Sequence, residues 1–178
     1  MNAIPNIPGL RYVPNFISVL ESIELLKLID EQDWRADLKR RVQHYGYIYD
    51  YRRRAISNDM KLGPLPNWLS ELSYKLIEQK IFMEIPDQVI INEYEPGQGI
   101  AAHIDCVPCF GNNIASISLG GAVDMRFDKG DEIHNLYLMP QSLLVLSGEA
   151  RLKWRHAIPA RKSDMVVGKK SHGQDAYH

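Results

Sequence analysis

Apolar residues recur at helical spacing across residues 16–34, at Val19, Leu20, Ile23, Leu25, Leu26, Leu28 and Ile29. This pattern predicts an amphipathic helix packed on something larger. Pro66 marks the start of a second helix near Asn67, which would bury Leu69, Leu72, Leu76 and Ile77. From Asp87 onward the period changes. Short β-rich runs at residues 88–94, 115–119, 123–127, 134–138, 142–146 and 152–158 alternate with turn residues at 97–99, 111–113, 120–121 and 129–130. Short strands at roughly regular spacing predict a sandwich or barrel rather than alternating α/β. The expected fold is mainly β with flanking helices (α+β), two N-terminal helices packing on a jelly roll.

The length of 178 residues suits one domain spanning 1–178. With 45% hydrophobic and 24% charged residues the composition is that of a globular protein, and it leaves the fold expectation unchanged. The net charge of −1 does change one expectation: a nucleic-acid partner would need a local basic patch. No apolar run approaches the roughly 20 residues that span a bilayer, and the N-terminus lacks the pattern of a signal peptide. Cys106 and Cys109 make no disulfide framework, so a cytoplasmic location is expected, with no membrane partner.

The chemistry centres on His103-Ile104-Asp105. On a strand, residues i and i+2 share a face, so an imidazole and a carboxylate would converge. These are two members of a 2-His-1-carboxylate triad, which leaves open positions on non-haem Fe(II). Of the remaining histidines, His156 has the best context, on a late β-rich run that leads into Pro159 and Arg161. Such a site also accepts Mn(II), Co(II) or Ni(II). A lone H-x-D is more often a hydrogen-bonded pair than a metal site.

The surrounding residues decide between those readings. Asn92-Glu93-Tyr94-Glu95-Pro96-Gly97-Gln98-Gly99-Ile100 leads into His103-Ile104-Asp105. Ser142-Leu143-Leu144-Val145-Leu146-Ser147-Gly148-Glu149-Ala150-Arg151 is followed by Trp154, His156 and Arg161. Across residues 41–164 this order resembles the AlkB family of Fe(II)/2-oxoglutarate-dependent dioxygenases. His44-Tyr45-Gly46-Tyr47 fits the oxygenase domain of its tRNA-modifying branch. The resemblance implies a double-stranded β-helix and a metal held by His103, Asp105 and His156. It implies Fe(II), O₂ and 2-oxoglutarate as cofactors, with Asn92 and Tyr94 hydrogen-bonding the cosubstrate. Arg161 either lines that pocket or pairs with Asp164. The implied reaction decarboxylates 2-oxoglutarate to succinate and hydroxylates a C–H bond; on an N-methylated base, formaldehyde is then lost.

Two departures matter. The family pattern ends in a strand R-x-S-x-T-F-R whose Arg holds the distal carboxylate of 2-oxoglutarate. Here residues 169–178 read Lys-Lys-Ser-His-Gly-Gln-Asp-Ala-Tyr-His, so this last strand is expected to be missing. A one-base frameshift within the Lys169-Lys170 codons accounts for that, since one added A can open a frame reading I-P-R-T-R-R-V-S. Without that strand, Arg161 or a lysine would have to hold the distal carboxylate. Members that demethylate nucleobases often carry a second Asp two residues after the ligand Asp, and here Val107 stands there. Cys106-Val107-Pro108-Cys109 spells C-x-x-C. A redox pair and half a zinc site are the sharp readings, and coincidence is preferred because no second cysteine pair or βαβ pattern accompanies it.

Residues 35–54 are locally basic, and Tyr45, Tyr47, Tyr49 and Tyr51 alternate within them. On a strand these tyrosines would share a face, and with Arg52 and Arg53 they would suit stacking on bases and contact with phosphates. The alternative is a strand whose tyrosines pack on the core. Glu149 and Arg151 are further candidates for substrate contact or for support of the metal ligands. The expected partner is single-stranded nucleic acid, bound by a monomer. Two rival readings stand beside it: the same chemistry on a protein or small molecule, and a catalytically silent nucleic-acid-binding domain.

Overall fold

A computed structural model describes residues 3–36, 38 and 40–161 in full, and the backbone of Ser163–Val166, Lys169–His172 and Ala176–Tyr177. The strands in chain order are β1 (Leu10–Val13), β2 (Arg41–Tyr45), β3 (Val89–Tyr94), β4 (Ile100–His103), β5 (Ile114–Ile117), β6 (Leu119–Gly120), β7 (Val123–Lys129), β8 (Glu132–Leu138), β9 (Leu143–Leu146), β10 (Arg155–Ile158), β11 (Ser163–Val166), β12 (Lys169–His172) and β13 (Ala176–Tyr177). The helices are α1 (Val19–Asp30), α2 (Asn67–Glu78) and α3 (Gly148–Leu152). The sheets run β1-β9-β5, β4-β10-β7-β8 and β2-β3-β13-β6, with β11 and β12 pairing separately. The architecture is mainly β, a jelly roll with flanking helices.

Strand β9 shows how the layers meet. All of Leu143, Leu144, Val145 and Leu146 are buried. Leu144 and Leu146 join the core inside the roll, with Met125, Phe127, Leu136 and Trp154. Leu143 and Val145 face the opposite way, onto a second core with Phe16, Ile17, Ile29 and Leu76 from the helical layer. Period-2 alternation thus serves two cores, which is why the strand is apolar throughout. Strand β3 splits in the same way: Ile91 joins the helical core and Tyr94 the inner one.

Helix α1 begins at a capping box. Ser18 accepts from the Glu21 backbone N–H, and Glu21 accepts from the Ser18 backbone N–H. Only the far end of its apolar stripe is covered, with Ile29 buried and Leu25 and Leu26 packed beside it. Val19, Leu20 and Ile23 are exposed, contrary to the expectation of a fully packed face. Helix α2 starts at Asn67 as expected and buries Leu69 and Leu76.

The tyrosine segment differs from the sequence expectation. Strand β2 stops at Tyr45, because Gly46 has φ of 78° and lies against Asp87. A Cβ there would sit 1.8 Å from the Asp87 carbonyl oxygen. Tyr47, Tyr49 and Tyr51 therefore follow an irregular path, and the tyrosines share no strand face. At the other end of the chain, the backbone of β13 pairs between β3 and β6, with Ala176 opposite both Tyr94 and Gly120. A short strand thus occupies an edge expected to lack one, satisfying backbone groups that β3 would otherwise leave open. The side chains of Lys169, Lys170 and Asp164 lie outside the described residues.

Candidate functional site

His103 ends β4, and His156 lies opposite it on β10 as its Cα partner. Their ring centroids are 4.4 Å apart. Asp105 lies beyond the strand, so the expectation that it shares a strand face with His103 does not hold. A turn instead brings Asp105 Oδ1 to 3.5 Å from His103 Nε2, and Oδ2 to 3.7 Å from His156 Nε2. One ligand atom from each residue fits within 4.8 Å of the others. The Ala101 carbonyl lies 2.8 Å from His103 Nδ1. A carbonyl only accepts, so Nδ1 donates there.

The electrostatics suit a cation. Burial holds the His156 imidazole down at about 4, which keeps it neutral. Burial alone would push the Asp105 carboxyl up, but the bond from His103 and the nearby His156 outweigh it and hold it low. His103 is raised: burial opposes this, but Asp105 and Ala101 prevail. Two imidazoles and a carboxylate, the group gathered here among the described residues, match the donor set of a first-row divalent metal with open positions.

The turn carrying Asp105 is held from beneath. Arg151, on α3, is only 2% exposed. Its guanidinium donates to the carbonyls of Asp105 at 3.0 Å, Cys106 at 3.3 Å and Gly111 at 3.4 Å. Backbone N–H groups of Cys109 and Phe110 donate to the Cys106 carbonyl, and this turn brings the Cys106 and Cys109 Cα atoms to 5.3 Å. The two cysteines form a disulfide, which replaces the reading of C-x-x-C as coincidence.

Asn92 and Tyr94 line the same cavity as His103, Asp105 and His156, a space of about 700 Å³ with mostly apolar walls. Alternation along β3 turns both toward the interior. Tyr94 is 6% exposed, and burial pushes its phenol up to about 12. Arg40, which sequence reasoning did not place here, donates from Nε to Asn92 Oδ1 at 2.8 Å. Pairing of Val42 with Asn92 puts Arg40 on this face, a register that the sequence did not disclose.

The other candidates divide. Arg161 is exposed and pairs with Asp124 on β7 at 3.2 Å, so it is not among the residues lining the cavity. Tyr45 packs edge-on against Trp68 and donates to Gln43 at 2.9 Å, as a core residue would. Tyr47 lies under Lys61, with 5.9 Å from ring to Nζ, away from the cavity lining. Glu149 points outward to Lys129 and Lys153. Arg151 is buried beneath the turn carrying Asp105 and is not among the residues lining the cavity.

Arg52 and Arg53 are exposed at a turn whose backbone N–H groups donate to Asp50. Arg54 follows with φ of 52° and donates to the Ile104 carbonyl at 3.0 Å. Ile104 lies between two of the candidate ligands, so the basic turn is pinned beside them. Tyr49 joins it through an edge contact with Tyr51 at 4.9 Å and a tilted contact with Phe110 at 5.1 Å.

Comparison with known proteins agrees with this arrangement. A chain named alkylated DNA repair protein ALKBH8 homolog, from Arabidopsis thaliana, is 37% identical over 92% of this chain and 54% of its own length. The mouse tRNA (carboxymethyluridine(34)-5-O)-methyltransferase ALKBH8 is 39% identical over 93% of this chain, which spans only 26% of that protein. The solved structure of OsALKBH1 superposes with a TM-score of 0.72 across 95% of both chains at 13% identity, a likeness of fold. The family model described as 2OG-Fe(II) oxygenase superfamily matches residues 9–175. The chain therefore belongs to that superfamily, AlkB-like in its relatives, whose dioxygenases use Fe(II), 2-oxoglutarate and O₂.

Proposed function

We propose that this chain demethylates or hydroxylates modified nucleobases in single-stranded DNA or RNA. His103, Asp105 and His156 hold Fe(II), and Asn92 and Tyr94 bind 2-oxoglutarate. The observation that carries this reading is the basic turn of Arg52 and Arg53, tied through Arg54 to the backbone between His103 and Asp105. A nucleic-acid backbone lying along exposed guanidinium groups would bring a base to the mouth of the cavity, with Tyr49 and Phe110 beside it for stacking. The printed names of the plant and mouse relatives, a DNA-repair homolog and a tRNA-modifying protein, support the same substrate class.

When bound, iron with its cosubstrate supplies the oxidising power for an otherwise inert C–H bond. The chain supplies the rest. His103 is oriented by Ala101, and Asp105 is held in its turn by Arg151. The apolar cavity walls limit water around the reacting carbon. A target base in a duplex must leave its stack to enter, so single strands are preferred.

Succinate formation in the presence of modified DNA and RNA oligonucleotides tests this. A modified single strand should stimulate it, and an unmodified strand should not. Stimulation by a peptide pool instead would move the substrate to protein. The same reading has the chain acting as a monomer in the cytoplasm, checked by sedimentation and by cell fractionation.

A further inference from the structure

The Cys106–Cys109 disulfide lies where the basic turn meets the turn carrying Asp105. The Arg54 carbonyl oxygen is 3.1 Å from the Cys106 sulfur and 3.2 Å from the Cys109 sulfur. Among the described residues no backbone N–H donates to that carbonyl. A carbonyl only accepts. A thiol has an S–H to give it, and a disulfide has none. The two sulfurs can therefore bond Arg54 when reduced, and only touch it when joined.

Little else in the turn depends on the S–S bond. The Cys106 carbonyl accepts from the backbone N–H groups of Cys109 at 3.2 Å and Phe110 at 3.1 Å, and from Arg151 at 3.3 Å. These bonds hold the two cysteine Cα atoms 5.3 Å apart, within the span that a disulfide bridges. A bridge across a sequence separation of 3 also removes little freedom from the unfolded chain. Stapling is thus a minor part of what this bond does. Access differs between the sulfurs: Cys106 is 6% exposed, whereas Cys109 is half-buried and lines the cavity with the candidate ligands.

We propose that Cys106 and Cys109 are a reversible thiol–disulfide site whose reduced form ties the basic turn to the turn carrying Asp105. A thiolate of a small dithiol attacks the more accessible Cys109 sulfur and breaks the S–S bond, and the Cys106 sulfur leaves and takes a proton. The second thiolate of the dithiol then attacks the mixed disulfide. The dithiol departs as its cyclic disulfide, and the Cys109 sulfur takes the second proton. Two electrons and two protons pass from reductant to protein. A small disulfide reverses the exchange and leaves as two thiols. Reduction gives Arg54 a second tie, because its guanidinium donates to the Ile104 carbonyl at 3.0 Å. Any effect on a nucleic-acid strand rests on the reading of Arg52 and Arg53 as phosphate contacts; the exchange itself does not.

The test compares the full chain in dithiothreitol and in glutathione disulfide. Alkylation followed by mass spectrometry should find both cysteines free in the first and neither in the second, and should follow the buffer in both directions. Hydrogen exchange across residues 50–55 should be about two- to fivefold slower in the reduced chain, as one weak hydrogen bond would make it. Single-strand affinity should rise by a similar factor. Cys106→Ser with Cys109→Ser keeps hydroxyl donors for Arg54 and should exchange as the reduced chain does, in either buffer. Cys106→Ala with Cys109→Ala keeps none and should exchange as the bridged chain does. Thiols that never close, or a bridge that opens only when the chain unfolds, would overturn the site. Equal exchange in both buffers, or in both double variants, would overturn the tie to Arg54. Slower exchange with unchanged single-strand affinity would leave the redox site standing and remove the nucleic-acid reading of the basic turn.

Discussion

The turn carrying Asp105 and the basic turn touch through Arg54 and Ile104, yet they are held by different means. His103 and His156 are fixed by strand register, and Asp105 by a buried guanidinium that collects three carbonyls. The basic turn has one backbone bridge, between Asp50 and Ala55, and the bonds from Arg52 and Arg53 to Asp50. Arg54 links it to the turn carrying Asp105, donating to the Ile104 carbonyl and placing its own carbonyl 3.1 and 3.2 Å from the Cys106 and Cys109 sulfurs. Backbone pairing and burial fix position to a fraction of an ångström, whereas an exposed turn adjusts to what it meets. The candidate ligands thus belong to the rigid side, and the exposed guanidinium groups to the permissive one.

The largest effect expected comes from the rigid side. Asp105→Ala or His103→Ala should reduce cosubstrate turnover to background and remove specific Mn(II) binding, read by calorimetry. Retained metal affinity in both variants would show that the ion sits elsewhere. Arg151→Met should come next, lowering metal affinity by about 10- to 100-fold while the ligands themselves remain. Arg151→Lys should recover little, because a point charge cannot reach three carbonyls in one plane. An unchanged affinity would mean that the turn is held without Arg151, and that the rigid side owes its rigidity to something else.

The permissive side should respond differently. Removing the charges of Arg52 and Arg53 should weaken single-strand binding equally across sequences. The dependence of log affinity on log salt should become shallower by about 0.7 for each phosphate that is no longer neutralised. Metal and 2-oxoglutarate affinities should stay where they are. A change in sequence preference, rather than in salt slope, would make these residues readers of bases.

The smallest effect is expected far from both turns. Ser18→Ala removes half of the capping box and should cost about 1 kcal/mol of stability in denaturant titration. Metal and nucleic-acid binding should be untouched. The hydrogen bond from Lys75, then those from Ser18, hold the Glu21 carboxyl down at about 2. A carboxyl lowered on folding stabilises above its unfolded pKa, and that contribution fades as pH falls from about 4.5 toward 2. Glu21 is 45% exposed, so screening keeps the loss below about 1 kcal/mol. Glu21→Gln should flatten this part of the stability profile.

Legibility in the sequence follows the same division. Helix α2 and the β-rich second half were written in local signals: Pro66 before an apolar stripe, and short runs between glycines. His103, Asp105 and His156 were legible because metal chemistry restricts residue type, and the structure gathers them. The work of Arg151 was not, because its partners are backbone carbonyls far off in the chain, and a carbonyl has no letter in a sequence. The pairing of Arg161 with Asp124 was hidden for a similar reason, since it depends on β7 crossing beside it. The alternating tyrosines misled because one residue, Gly46, ends the strand that alternation assumed.

Strand β9 has a further consequence, for synthesis. It closes a sheet with β1 on one side and β5 on the other. Leu10 pairs with Leu146, so the first strand made must wait for one of the last to emerge. Neither core can close before then, since both draw two leucine or valine side chains from β9. A ribosome partway through this message therefore carries an N-terminal strand with open edges, and long-range pairing of this kind is slow. The segment that joins the two cores of the finished protein also sets how long β1 stays without its pairing partner during synthesis.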